Sequence, residues 1–106
     1  MDNNKIFNLS LETWGIKCSV FELQKQAAAA LECCEAEADD TQDYVLKCEE
    51  AYELNPNDDT GVELNRAYDL HDRAMKELYE ARERLDYISK ALEMLNRAEQ
   101  YLTWAE

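Results

Sequence analysis

The chain has 106 residues, with 24 acids against 11 bases and a formal net charge of −13. That length holds one small domain. The charge excludes direct binding of nucleic acid, whose phosphates ask for the opposite sign, and docking on an anionic membrane surface.

Ala, Glu, Lys, Leu and Arg supply 52 residues, the share expected of long helices when the apolar period agrees. Two glycines and one proline are too few for a β fold rich in tight turns. No apolar run approaches the roughly 18 residues that span a bilayer, and no signal-peptide pattern stands at the start. A cytoplasmic protein is expected.

Residues 1–18 are punctuated by Asn3, Asn4, Asn8, Ser10 and Gly15. They read as an arm whose Leu9, Leu11, Trp14 and Ile16 pack on helices. Ser19 to Glu22 forms a capping box, with Cys18 and Leu23 placed as a hydrophobic staple. A first helix is therefore expected over 19–54. Its seam is Ala27, Leu31, Cys34, Ala38, Thr41, Val45, Cys48 and Tyr52, spaced by threes and fours as a helix face requires. Asp39, Asp40 and Thr41 offer a break, but the seam keeps phase across them, so a continuous helix is preferred. Residues 55–59, Asn-Pro-Asn-Asp-Asp, stop it.

Thr60 to Glu63 is a second capping box and opens a helix over 60–104. Its seam runs Leu64, Ala67, His71, Ala74, Leu78, Ala81, Leu85, Ile88, Leu92, Leu95 and Leu102, with a miss at Glu99. A five-residue turn makes the two helices antiparallel neighbours. The expected fold is all-α: one domain, 1–106, built as a long coiled-coil-like hairpin with the arm packed on it. A second stripe, Tyr87, Ala91, Met94, Ala98 and Tyr101, needs cover. The arm is the preferred cover and a homodimer the alternative, which makes Tyr87, Met94 and Tyr101 a secondary apolar interface.

No Gly-rich phosphate loop, G-x-S-x-G or H-E-x-x-H occurs, and the one histidine, His71, falls on the seam. No enzyme activity is expected. Cys18, Cys33, Cys34 and Cys48 form no C-x-x-C pair and read as reduced thiols filling apolar space. No metal or cofactor is expected. Ala51 to Asn57 is similar to the close of a tetratricopeptide repeat, but no 34-residue period follows, and a plain helix stop is the preferred reading.

The charge is concentrated. Residues 32–59 hold eleven acids and one base, Lys47, a net of −10. Glu35–Asp39, Asp39–Asp43 and Glu49–Glu53 are like pairs at i,i+4; Glu32–Glu35, Asp40–Asp43 and Glu50–Glu53 are like pairs at i,i+3. At roughly 0.2–0.5 kcal/mol each, the six cost about 1–3 kcal/mol. The second helix does the opposite, with Asp69–Arg73, Asp72–Lys76, Glu80–Arg84, Asp86–Lys90 and Glu93–Arg97 as acid-to-base pairs at i,i+4. A local rule broken without compensation marks function, so Glu32, Glu35, Asp39, Asp40, Asp43, Glu49, Glu50 and Glu53 are the candidate partner-binding residues. Their expected partner is a basic, nucleic-acid-binding protein or complex.

In size, charge and lack of catalytic motifs the chain resembles the small acidic anti-defence proteins of phages and mobile elements, of the anti-CRISPR and anti-restriction types. That resemblance implies an inhibitor acting in the host cytoplasm. The rival reading is a helical scaffold that binds through apolar seams, its charge serving solubility.

Overall fold

A computed structural model of the protein describes residues 3–105. It is a helical hairpin of α1 (Asn3–Leu54) and α2 (Asp58–Ala105), and the described residues form no strand. Neither helix is long and apolar enough over any stretch to cross a membrane, among the described residues.

α1 overturns the expected arm. Residues 3–18 are helical and continuous with the rest. Ser19 caps nothing: its hydroxyl donates to the Gly15 carbonyl at 3.2 Å, one turn back. Thr13 and Thr41 bond back in the same way, to Leu9 at 2.7 Å and Ala38 at 3.0 Å, so the helix also runs unbroken through Asp39–Thr41. Gly15 interrupts nothing, at a cost of about 1 kcal/mol relative to Ala.

The reason for the longer helix lies in the seam. Apart from Ala30 and Tyr44 beside the seam, the buried and half-buried residues of α1 are Ile6, Ser10, Thr13, Lys17, Val20, Gln24, Ala27, Leu31, Cys34, Ala38, Thr41, Val45 and Cys48. The spacing by threes and fours thus holds back to Ile6. Between Ser10 and Gln24 most seam positions are polar, and two of them, Lys17 and Gln24, are partnered from α2. Lys17 Nζ donates to Glu99 Oε2 at 3.0 Å, and Gln24 Nε2 to Ser89 Oγ at 3.1 Å. Glu99, the one miss in the second seam, is therefore a seam residue with a cation across from it. Part-buried pairs of this kind fix register, because a slip leaves both groups unpaired.

The stop is set by Pro56, which disfavours helix at the residue before it. The next helix begins earlier than expected. Asn57, not Thr60, is its N-cap: Asn57 Oδ1 accepts the Thr60 N–H at 2.9 Å, and Thr60 Oγ1 accepts the Asn57 N–H at 3.0 Å. The capping box is thus Asn57–Thr60, three residues before the expected one. Asp58 and Asp59 then sit in the first turn, where the helix dipole favours anions. The Thr60 hydroxyl also donates to the Asn55 carbonyl at 2.9 Å, tying the turn together. Asn57→Ala is expected to cost about 1 kcal/mol, read as a lower urea midpoint at unchanged slope. An unchanged midpoint contradicts the assigned cap.

The chain divides into two compact units, residues 1–28 with 83–106, and residues 29–82. In the second unit, Ala38, Ala74 and Leu78 form one buried cluster, flanked by Leu31, Cys34 and Met75. Val45, Cys48 and Ala67 form another, flanked by Tyr44 and Leu64. Small residues dominate the contact, and Ala67 is wholly buried at 0% exposure. Alanines there let the two backbones approach closely, so dispersion contacts are made along the helix walls themselves. In the first unit, Ile6 and Ala27 are buried.

Candidate functional site

The candidate acids lie on α1 within the second unit. The seam residues Leu31, Ala38 and Val45 point α1 at α2, so Glu32, Glu35, Asp39, Asp40, Asp43, Glu49, Glu50 and Glu53 fall off the seam. All eight are exposed. Among the described residues none of them joins an ion pair. The ion pairs found are Lys17–Glu99, Lys25–Glu22, Lys90–Asp86 and Arg97–Glu93. Lys47, the one base within residues 32–59, also pairs with none of these acids.

On α2, two of the five expected acid-to-base pairs close, Asp86–Lys90 at 2.9 Å and Glu93–Arg97 at 2.8 Å. The Asp86 carboxylate, through its hydrogen bond and its charge, raises the Lys90 pKa above the usual lysine value. Asp69–Arg73, Asp72–Lys76 and Glu80–Arg84 do not close. Exposed pairs of this kind contribute little in any case.

Two of the candidate acids border a groove. Glu35 and Asp39 line a hollow of about 380 Å³ with Ala38, Gln42, Met75, Leu78 and Arg82. A third, Glu49, faces a phenol of α2. Partial loss of water and then the Glu49 carboxylate raise the Tyr68 pKa above its ordinary value. A stronger contact of the same kind joins Tyr44 of α1 to Glu63 of α2, the phenol donating to Oε1. That hydrogen bond, then reduced hydration and the neighbouring Cys48, push the Tyr44 pKa up to about 12. Sequence reading missed both phenols, because Tyr44 and Tyr68 stand beside the seam. The usable signal is an acid on one helix level with a tyrosine on the other.

The Tyr44 contact has a pH signature. Its pKa in the fold lies above the value of about 10 for a free phenol. Its contribution is therefore complete below pH ~10 and lost as pH rises towards the folded value. An ultraviolet titration should show a phenol ionising near pH 12 that Tyr44→Phe removes. Identical curves for parent and variant contradict the contact.

His71 is half-buried on the seam, as expected, with Nδ1 3.0 Å from Thr41 Oγ1. Of the four free thiols, Cys48 is buried and Cys34 half-buried, whereas Cys18 and Cys33 are exposed. Only the first two fill apolar space, which corrects the reading of all four as fillers.

The secondary apolar interface is open. Tyr87, Met94 and Tyr101 are 65%, 69% and 65% exposed. The expected cover does not exist, because Leu9, Leu11, Trp14 and Ile16 are themselves exposed side chains of α1. Compared with protein-family models, with curated proteins and with solved structures, the chain finds no match in any of the three.

Proposed function

We propose that the protein is a non-enzymatic inhibitor whose acidic α1 face occupies the basic groove of a nucleic-acid-binding protein or complex and excludes DNA or RNA. The observation that carries this reading is the set of eight exposed carboxylates with no ion-pair partner among the described residues. The eleven acids of residues 32–59 lie on average about 2.5 positions apart, roughly 4 Å of axial rise on a helix. One DNA strand carries a phosphate every 3.4 Å or so. From Glu32 to Glu53 α1 is unbroken and rises roughly 32 Å, about one turn of duplex. A groove built for phosphates thus meets charges at similar pitch on a scaffold that needs no sugar or base. The anti-CRISPR or anti-restriction type of action in a host cytoplasm is the setting that fits this chemistry.

The test is capture from a host lysate at low and high salt, followed by displacement. A bound nucleic-acid-binding protein should release at high salt, since screening weakens exposed ion pairs. It should also be displaced by duplex DNA, and it should not bind a variant with the eight acids changed to Gln or Asn. Capture that survives high salt and the variant, yet fails when Tyr87 is charged, supports the scaffold reading instead. That reading draws on the exposure of Tyr87, Met94 and Tyr101.

A further inference from the structure

The unit formed by residues 1–28 and 83–106 carries an apolar face that its own chain leaves open. Leu9, Ile16 and Leu23 each stand one place before a seam residue of α1, namely Ser10, Lys17 and Gln24. On α2, Tyr87, Met94 and Tyr101, with Ala91 and Ala98 between them, likewise precede seam residues. In an antiparallel pair, positions that precede the seam on the two helices share one flank, and positions that follow it share the other. The opposite flank shows this sense directly: Trp14 and Phe21, one place after the α1 seam, line a groove with Asn96, one place after Leu95.

The area is that of an interface. Leu9, Ile16, Leu23, Tyr87, Met94 and Tyr101 are between 38% and 69% exposed. At about 200 Å² for a large apolar side chain they leave roughly 700 Å² in water. A stable specific interface takes about 800 Å² from each partner, whereas the largest apolar patch of an ordinary monomer is about 300–600 Å².

Charge and pattern select the occupant. This unit holds eight acids and six bases, against sixteen and five in residues 29–82. With a net of −2 against −11 in residues 29–82, this unit repels a second copy of itself far less and offers a charged partner little to match. The stripe also reads alike from both ends: Tyr87, Ala91, Met94, Ala98, Tyr101, large and small in alternation about Met94. Turned end for end about Met94, it sets Met94 on its own copy and Tyr87 beside the Tyr101 of another copy, with the alanines of the two copies near one another between them. Ile16 and Leu23 flank the same level, because Lys17 bonds Glu99 on one side of it and Gln24 bonds Ser89 on the other.

We propose that this face binds a second copy of the chain, as a self-complementary dimer with its twofold axis at Met94. It uses none of the acids of the proposed inhibitory face, so either claim can fail alone. Sedimentation equilibrium of the full chain at micromolar concentration should give the dimer mass, with little dependence on salt. Met94→Glu sets two like charges on the axis and should weaken association on the order of 100-fold, with the helical circular dichroism retained. Met94→Lys should do the same, and an equal mixture of the two variants should associate again. Trp14→Glu, on the other flank, should leave the dimer intact. A monomeric parent, a dimer that survives Met94→Glu, a mixture that stays monomeric, or loss of the dimer in Trp14→Glu would each overturn the proposal.

Discussion

Changing Glu32, Glu35, Asp39, Asp40, Asp43, Glu49, Glu50 and Glu53 to their amides is expected to stabilise the protein by about 1–3 kcal/mol. The shape of each side chain is kept and only the charge goes. The six like pairs they form stand one helical turn apart on a helix that runs unbroken through all of them. No base of the same chain pairs with any of them, among the described residues. Glu49, Glu50 and Glu53 add an unfavourable interaction with the carbonyl end of α1. For a domain of this size the gain corresponds to a melting temperature higher by roughly 4 to 20 °C. Added salt should raise the parent towards the variant, since screening removes the same repulsion. A variant that melts at or below the parent would mean that the flank costs nothing, and the argument from its self-repulsion would be void.

Leu78→Ala is expected to produce the largest loss. Leu78 is buried between Ala38 and Ala74 and backed by Leu31, Cys34 and Met75. Its neighbours are mostly small, and helix walls built on alanine cannot collapse into the space it leaves. Large-to-small changes at such positions cost about 2–5 kcal/mol, out of about 5–15 kcal/mol in total for a small domain. Chemical unfolding should show the midpoint falling steeply, while Leu46→Ala, at an exposed position of α1, should shift it by less than about 1 kcal/mol. Equal shifts for the two would place the core elsewhere.

The hairpin and its seam from Ala27 to Cys48 were legible because buried positions there are apolar or small and recur at helical spacing. So was the second seam, from Leu64 to Leu102. The first eighteen residues were not, and the cause is specific. Hydrophobic periodicity follows burial only where burial is apolar. In α1 the stripe at Ser10, Thr13, Lys17 and Gln24 is turned inward as polar groups, and Lys17 and Gln24 are satisfied from α2. Phe7, Leu11, Trp14 and Ile16 are turned outward, the reverse of what an amphipathic reading assumes. Pairing Lys17 with the miss at Glu99 would have recovered the helix. The cap at Asn57 was hidden by overlap, since Asn57–Thr60 and Thr60–Glu63 both satisfy the capping spacing and Thr60 belongs to each. Of the candidate site, the acids and their exposure were readable, because off-seam positions follow from the seam. The contacts of Tyr44 with Glu63 and of Tyr68 with Glu49 depend on the level at which the two helices meet, and no single helix encodes that.

In the proposed function the acidic face of α1 takes the place of nucleic acid in a basic groove. Its most direct test uses a captured nucleic-acid-binding protein loaded with a fluorescent duplex. Titrating in the parent chain should lower the anisotropy to that of free duplex, with a midpoint that rises steeply with salt, and the amide variant should leave the duplex bound. Displacement by the variant as effective as that by the parent, or a complex in which chain and duplex are held together, would contradict it.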